Sequence, residues 1–104
     1  MPPDFSLPLP SYPAVLIVHE VAHYPTWKTV FDGAACIRRE AGEISFELLR
    51  DADQPGLVVH LSSWRSHAAA RSFFESPRLE EIRRQAGVKS PLFLYLNRVA
   101  AGEL

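Results

Sequence analysis

The chain has 104 residues, 47% hydrophobic and 22% charged, enough for one compact domain and too few for two. Eleven basic residues against twelve acidic leave a net charge of -1, which argues against a dedicated nucleic-acid binder, whose affinity rests on clustered Lys and Arg. The single cysteine, Cys36, excludes an intramolecular disulfide and a cysteine-rich zinc site; a chain this long hides roughly two-thirds of its unfolded surface and needs neither.

Residues 1–13 carry Pro2, Pro3, Pro8, Pro10 and Pro13, which favour extended backbone and suggest an arm outside the folded core. This stretch lacks the basic and apolar regions of a secretory signal, and no apolar run approaches the roughly 20 residues of a membrane span. A soluble, cytoplasmic protein is the expectation. Ala14 to Ala22 is β-branched and apolar on both faces, as in a central strand covered on both sides. Pro25 suits a helix start; Trp27, Val30, Phe31, Ala34, Ile37 and Ala41 then form one helical stripe, and Gly42 is placed to end it.

Glu43 to Asp51 alternates, with Ile44, Phe46 and Leu48 on one side and Glu43, Ser45 and Glu47 on the other, which predicts a half-exposed edge strand. The run from Asp51 to Gly56 has turn chemistry, and Leu57 to Trp64 reads as a second central strand. Ser66 is placed to cap a helix through Phe73 and Phe74, Ser76 and Pro77 restart it, and Gly87 ends it. Pro91 to Val99 completes the pattern as a last strand, so 14–100 forms the domain and 101–104 a tail.

The order β-α-β-β-α-β closes most simply as an α+β ferredoxin-like sandwich, an antiparallel sheet in order 4-1-3-2 with the helices on one face. The two central strands are apolar on both faces, however. Leu16, Val18, Leu57, Val59 and Leu61 would leave a patch larger than monomers tolerate, so a homodimer packed sheet to sheet is expected.

Several segments carry a family resemblance: His19-Glu20-Val21, Tyr24-Pro25-Thr26-Trp27-Lys28 with Phe31-Asp32, and Arg39-Glu40-Ala41-Gly42. It continues through Arg50 to Pro55, Ser63-Trp64, Phe74 to Leu79, and Ala86-Gly87-Val88. On these the chain resembles the dimeric α/β-barrel proteins of the antibiotic-biosynthesis-monooxygenase type. The resemblance implies a pocket between sheet and helices in each protomer and a dimer through the opposite sheet face. Relatives of this kind include cofactor-independent oxygenases of aromatic polyketides, haem-degrading oxygenases, isomerases and polyketide cyclases, among which fold alone does not choose.

His19 and His60 are the candidate catalytic residues. Pairing Val15 with Trp64 sets His19 opposite His60, with Val15, Ile17 and Val21 on the same face as Val58, Ser62 and Trp64. Two imidazoles in one apolar cavity resist protonation and stay available as a general base. Trp64 matches the tryptophan that oxygenases of the family place in their pocket. Ser62, Trp27, Phe31, Phe74 and Tyr95 are expected to complete the substrate-binding walls. Arg38, Arg39, Arg71, Arg78, Arg83 and Arg84 read as a solvated face paired with neighbouring glutamates, Arg83 being the one that reaches in toward an anionic group.

Arg83 also stands where haem-degrading relatives carry a ligand histidine, and Ser76-Pro77-Arg78-Leu79 lacks the helix-two histidine of the plant cyclases. No metal is expected, because Glu20 falls on the sheet face opposite His19. These features suggest a small homodimeric enzyme that oxidises or cyclises an aromatic or polyketide-like molecule without a tightly bound cofactor. The alternative is a non-catalytic small-molecule-binding or stress-associated dimer with the same pocket.

Overall fold

The computed structural model describes residues 12–104, so the proline-rich arm lies almost wholly outside the described residues. Four strands form one antiparallel sheet in the order β2-β3-β1-β4, the arrangement expected from the sequence. The strands are β1 (Ala14–Val21), β2 (Glu43–Arg50), β3 (Leu57–Trp64) and β4 (Val88–Leu96). Helices α1 (Tyr24–Gly33) and α2 (Ala35–Ala41) follow β1, and α3 (His67–Phe74) and α4 (Pro77–Gln85) follow β3. None of the described helices is long and apolar enough to cross a membrane.

Each predicted helix is two. The second divides where the sequence indicates: Ser66 Oγ accepts from the Ala69 amide and Ser76 Oγ from the Leu79 amide, with Pro77 at the first helical position. The first was expected to run unbroken to Gly42 but is interrupted at Ala34, whose φ of -90° and ψ of 4° break the ladder just after Gly33. Gly42 ends α2 at φ 127°, a conformation costly for any residue with a Cβ, and so turns the chain directly into β2. Pro91 is tolerated in β4 because that strand bonds only to β1 and forms a sheet edge.

The helix-facing side of the two central strands is Val15, Ile17, His19 and Val21 with Val58, His60, Ser62 and Trp64, all buried. The register differs from the expected one by two residues. Ile17 pairs with His60 and His19 with Val58, so the histidines are diagonal rather than opposite neighbours. A shift of two preserves the face, because side chains alternate with a period of two.

Strand β2 departs further. Its pairing passes from Glu43↔Trp64 to Ser45↔Ser63, a bulge that accommodates Ile44 as an extra residue. The expected set of Glu43, Ser45 and Glu47 on the outer side is thereby broken. Glu43 joins Phe46 and Leu48 on the helix side, and its exposure falls to 7%.

Two apolar clusters fill the space under the helices. One gathers Val15, Ile17, Trp64, Ala70 and Phe74; the other gathers Val21, Trp27, Phe31, Val58 and Ala86. His19 stands between Ile17 and Val21, and His60 between Val58 and Ser62, so the polar pair occupies the seam between the clusters. None of the described helices covers the opposite sheet face. Leu92, Leu94 and Leu96 are exposed there beside half-buried Leu16, Val18, Val59 and Leu61, with Leu49 exposed alongside.

Candidate functional site

At the seam, the His19 and His60 rings lie 6.5 Å apart between centroids and are inclined by only 19°. Their surroundings differ. His19 packs against Trp27 at 5.3 Å, and neither of its ring nitrogens has a hydrogen-bond partner among the described residues. Burial, then the neighbouring His60 and Arg83, lowers its pKa from 6.5 to about 3. His19 is therefore a neutral imidazole at every physiological pH.

His60 is held by a buried ion pair that the sequence did not reveal. Its Nε2 lies 2.7 Å from Glu43 Oε2, while Arg38 Nε donates to Glu43 Oε1 at 2.5 Å. Arg38 Nη1 donates to the Phe31 carbonyl, and the guanidinium lies 3.8 Å from the centre of the Phe31 ring. Arg38, at 6% exposed, therefore leaves the solvated arginine face to which it was assigned. The sequence signal for this is faint: an arginine in the last turn of a helix, a capping glycine and a glutamate, with the bulge that turns the glutamate inward unmarked.

His19, His60, Phe31 and Arg38 border a cavity of about 60 Å³ between α1 and α4. Its floor is His19, His60 and Phe93 from the sheet; Trp27, Phe31, Phe74 and Leu79 supply apolar wall, and Arg83 stands at the side. Arg83 Nη1 donates to the Phe74 carbonyl at 3.0 Å, and its guanidinium lies 5.2 Å from the Phe93 ring centre. Burial lowers its pKa, though from a value so high that it remains a cation.

Six of the nine residues singled out from the sequence thus meet at the cavity: His19, His60, Trp27, Phe31, Phe74 and Arg83. Trp64, Ser62 and Tyr95 do not. The Trp64 ring is fully buried against Phe73, Phe74 and Ala70, and its indole N–H donates to Ser62 Oγ at 2.8 Å, which donates to the Val15 carbonyl. That closed chain leaves no polar group of Trp64 or Ser62 for a ligand, and both belong to the core. Tyr95 lies under the Arg71 guanidinium at 3.9 Å and edge-on to His67, away from the cavity. Burial and nearby Glu75 raise its pKa, so it stays a neutral phenol. His23 bonds to Thr26 and His67 to the Leu96 carbonyl, so neither serves the site.

The family model for antibiotic biosynthesis monooxygenases matches residues 26–85, more than half of the chain. The protein belongs to this family. No curated protein gives a significant match, but solved structures of the family share the fold. SnoaB, a cofactor-independent oxygenase from Streptomyces nogalater, superposes with a TM-score of 0.72 at 16% identity, covering 88% of this chain and 96% of its own. A monooxygenase from the gene ActVA-Orf6 of Streptomyces coelicolor, solved with the ligand nanaomycin D, gives 0.62 at 17% identity, covering 90% and 93%. Rv0793 from Mycobacterium tuberculosis gives 0.61 at 20% identity, covering 88% and 99%. At these identities the likeness of this antibiotic-biosynthesis-monooxygenase protein to its neighbours is one of fold.

Proposed function

We propose that this antibiotic-biosynthesis-monooxygenase protein is a cytoplasmic homodimeric oxygenase, acting on an aromatic or polyketide-like molecule without a tightly bound cofactor. The observation that carries the reading is the cavity itself, where two imidazoles, one held by Glu43 and one without a partner among the described residues, meet aromatic walls and the Arg83 guanidinium. His60 takes a proton from an acidic carbon or phenol of the substrate, and Glu43 balances the imidazolium that forms. His19, too weak a base for this step, uses its free nitrogens to bind a substrate oxygen, which answers why a buried polar ring lacks a partner. Arg83 steadies the developing anion, and Trp27, Phe31 and Phe74 hold the ring.

The carbanion is then electron-rich enough to reduce dioxygen itself. For a doubly benzylic CH₂ the sum is CH₂ + O₂ → C=O + H₂O: the carbon loses two hydrogens, one oxygen atom enters it and the other leaves as water. Ligand pockets for molecules of that size span roughly 300–1,000 Å³. The 60 Å³ cavity must therefore open, and half-buried Phe73, Ile82 and Arg83 are among the wall residues with room to yield.

The test is oxygen uptake with an anthrone as probe. His60→Phe is expected to lower kcat about 10²-fold or more, the usual worth of a positioned general base. An anthrone that binds, by fluorescence quenching of the tryptophans, without oxygen uptake above the spontaneous rate would leave the protein as a small-molecule binder instead.

The uncovered sheet face supports the dimer. An apolar surface of this extent is characteristic of an interface, and a twofold copy buries it against itself. Leu94→Glu, on that face in the edge strand β4 and 42% exposed, is expected to convert dimer to monomer. Light scattering across a concentration series reads this directly, and an unchanged mass would place the interface elsewhere.

A further inference from the structure

Glu43 is absent from the sequence-derived site, lies behind the cavity rather than in its lining, and is the one carboxylate in contact with either histidine among the described residues. A carboxylate only accepts hydrogen bonds, so the 2.7 Å contact requires the proton on Nε2 of His60. Arg38 fixes the direction of that carboxylate by occupying the other oxygen at 2.5 Å. Arg38 is fixed in turn by the Phe31 carbonyl and ring, and the bulge at Ile44 aims Glu43 inward.

We propose that Glu43 is the positioning residue of this site, holding His60 as its Nε2–H tautomer so that Nδ1 is the basic atom of a ring that lines the cavity. The assignment rests on the oxygenase reading for its use in turnover, but not for its chemistry, which concerns a proton at a stated atom of the ligand-free protein. It also separates the two histidines by role. His60 has a fixed tautomer and a counter-charge, whereas His19 has neither and is free to turn either a donor or an acceptor toward a ligand.

The experiment is long-range ¹H–¹⁵N correlation spectroscopy of the four histidines in the intact protein at pH 8, with His60 identified by the signal lost in His60→Phe. The expected result is one neutral ring with a slowly exchanging proton on Nε2 and none on Nδ1. A proton on Nδ1, alone or with one on Nε2, would overturn the proposal. Glu43→Gln is then expected to lower kcat about 10- to 100-fold with KM unchanged, the effect typical of losing an orienting partner. Because Glu43→Gln strands the Arg38 charge and can unfold the protein, the double variant Arg38→Met/Glu43→Leu removes both charges together. In it the protected Nε2 proton should disappear and the ring should average between tautomers; its persistence would refute the role of Glu43. Were the wild-type protein to bind the anthrone without oxygen uptake above the spontaneous rate while its spectrum shows the Nε2–H ring, the oxygenase reading would fail and the pairing would stand; uptake left intact in His60→Phe would remove only the role of His60 as base.

Discussion

Arg38→Met is expected to destabilise the protein by about 3–5 kcal/mol, measured by urea unfolding at pH 7, because it leaves the Glu43 carboxylate buried without its counter-charge. The side chain ties three elements together. It donates from α2 to the Phe31 carbonyl in the last turn of α1, which also accepts from the Ala34 amide, and to Glu43 at the start of β2. It thus closes the break at Ala34 that divides the first helix. Glu43→Leu alone should cost a similar amount, by stranding the guanidinium. The double variant Arg38→Met/Glu43→Leu should cost much less than the sum of the two, since replacing a buried pair by apolar groups of similar size is often close to neutral. Some loss remains, because His60 Nε2 also loses its acceptor, a penalty of about 1–3 kcal/mol. Single-variant effects that add to within about 0.5 kcal/mol would mean that the two residues do not share a network.

The parts of this arrangement that were legible in the sequence are those governed by strict periodicity. Alternation along Val15, Ile17, His19 and Val21 and along Val58, His60, Ser62 and Trp64 assigns faces whatever the detailed pairing. The histidines accordingly remained on one side of the sheet although the register was displaced by two residues. Ser66, Ser76 and Pro77 act through local hydrogen bonds and fixed φ, and they place α3 and α4 closely. The bulge at Ile44 is different in kind. A single inserted residue reverses every face before it, nothing in the composition of Glu43-Ile44-Ser45 marks it, and Glu43 is the residue it re-aims. Arg38 was unreadable for the same reason, since a helical arginine is ordinarily solvated unless a buried acid awaits it. Gly33 was the available signal for the broken helix, an isolated glycine within a helical stripe. Trp64 shows the reverse limit: a matching motif places the residue at a strand end, but its own neighbours decide whether it meets ligand or core.

His19 gives the pH dependence its sign. Unfolded, the ring titrates near 6.5; folded, it is held to about 3 by burial first and then by His60 from β3 and Arg83 from α4. Between those values the unfolded chain binds a proton that the native chain refuses. Stability is therefore full above pH 6.5 and falls as the solution is acidified, by roughly 1.4 kcal/mol per pH unit for this one group, levelling near pH 3. His19→Leu, similar in volume and unable to titrate, is expected to remove that slope from the acid limb of stability measured by urea unfolding between pH 4 and 7.5. It should also be at least as stable as the parent at pH 7.5, because it deletes two buried nitrogens that have no partner among the described residues. The difference between the two curves isolates His19, because every other titratable side chain is common to both proteins. Parallel curves would show that the native ring accepts a proton in place, and its role as a permanently neutral contact for a substrate oxygen would fall. If the curves instead diverge toward acid while anthrone binding weakens in His19→Leu, the ring is retained at a cost in stability for what it binds, the trade expected where function requires a polar group in an apolar seam.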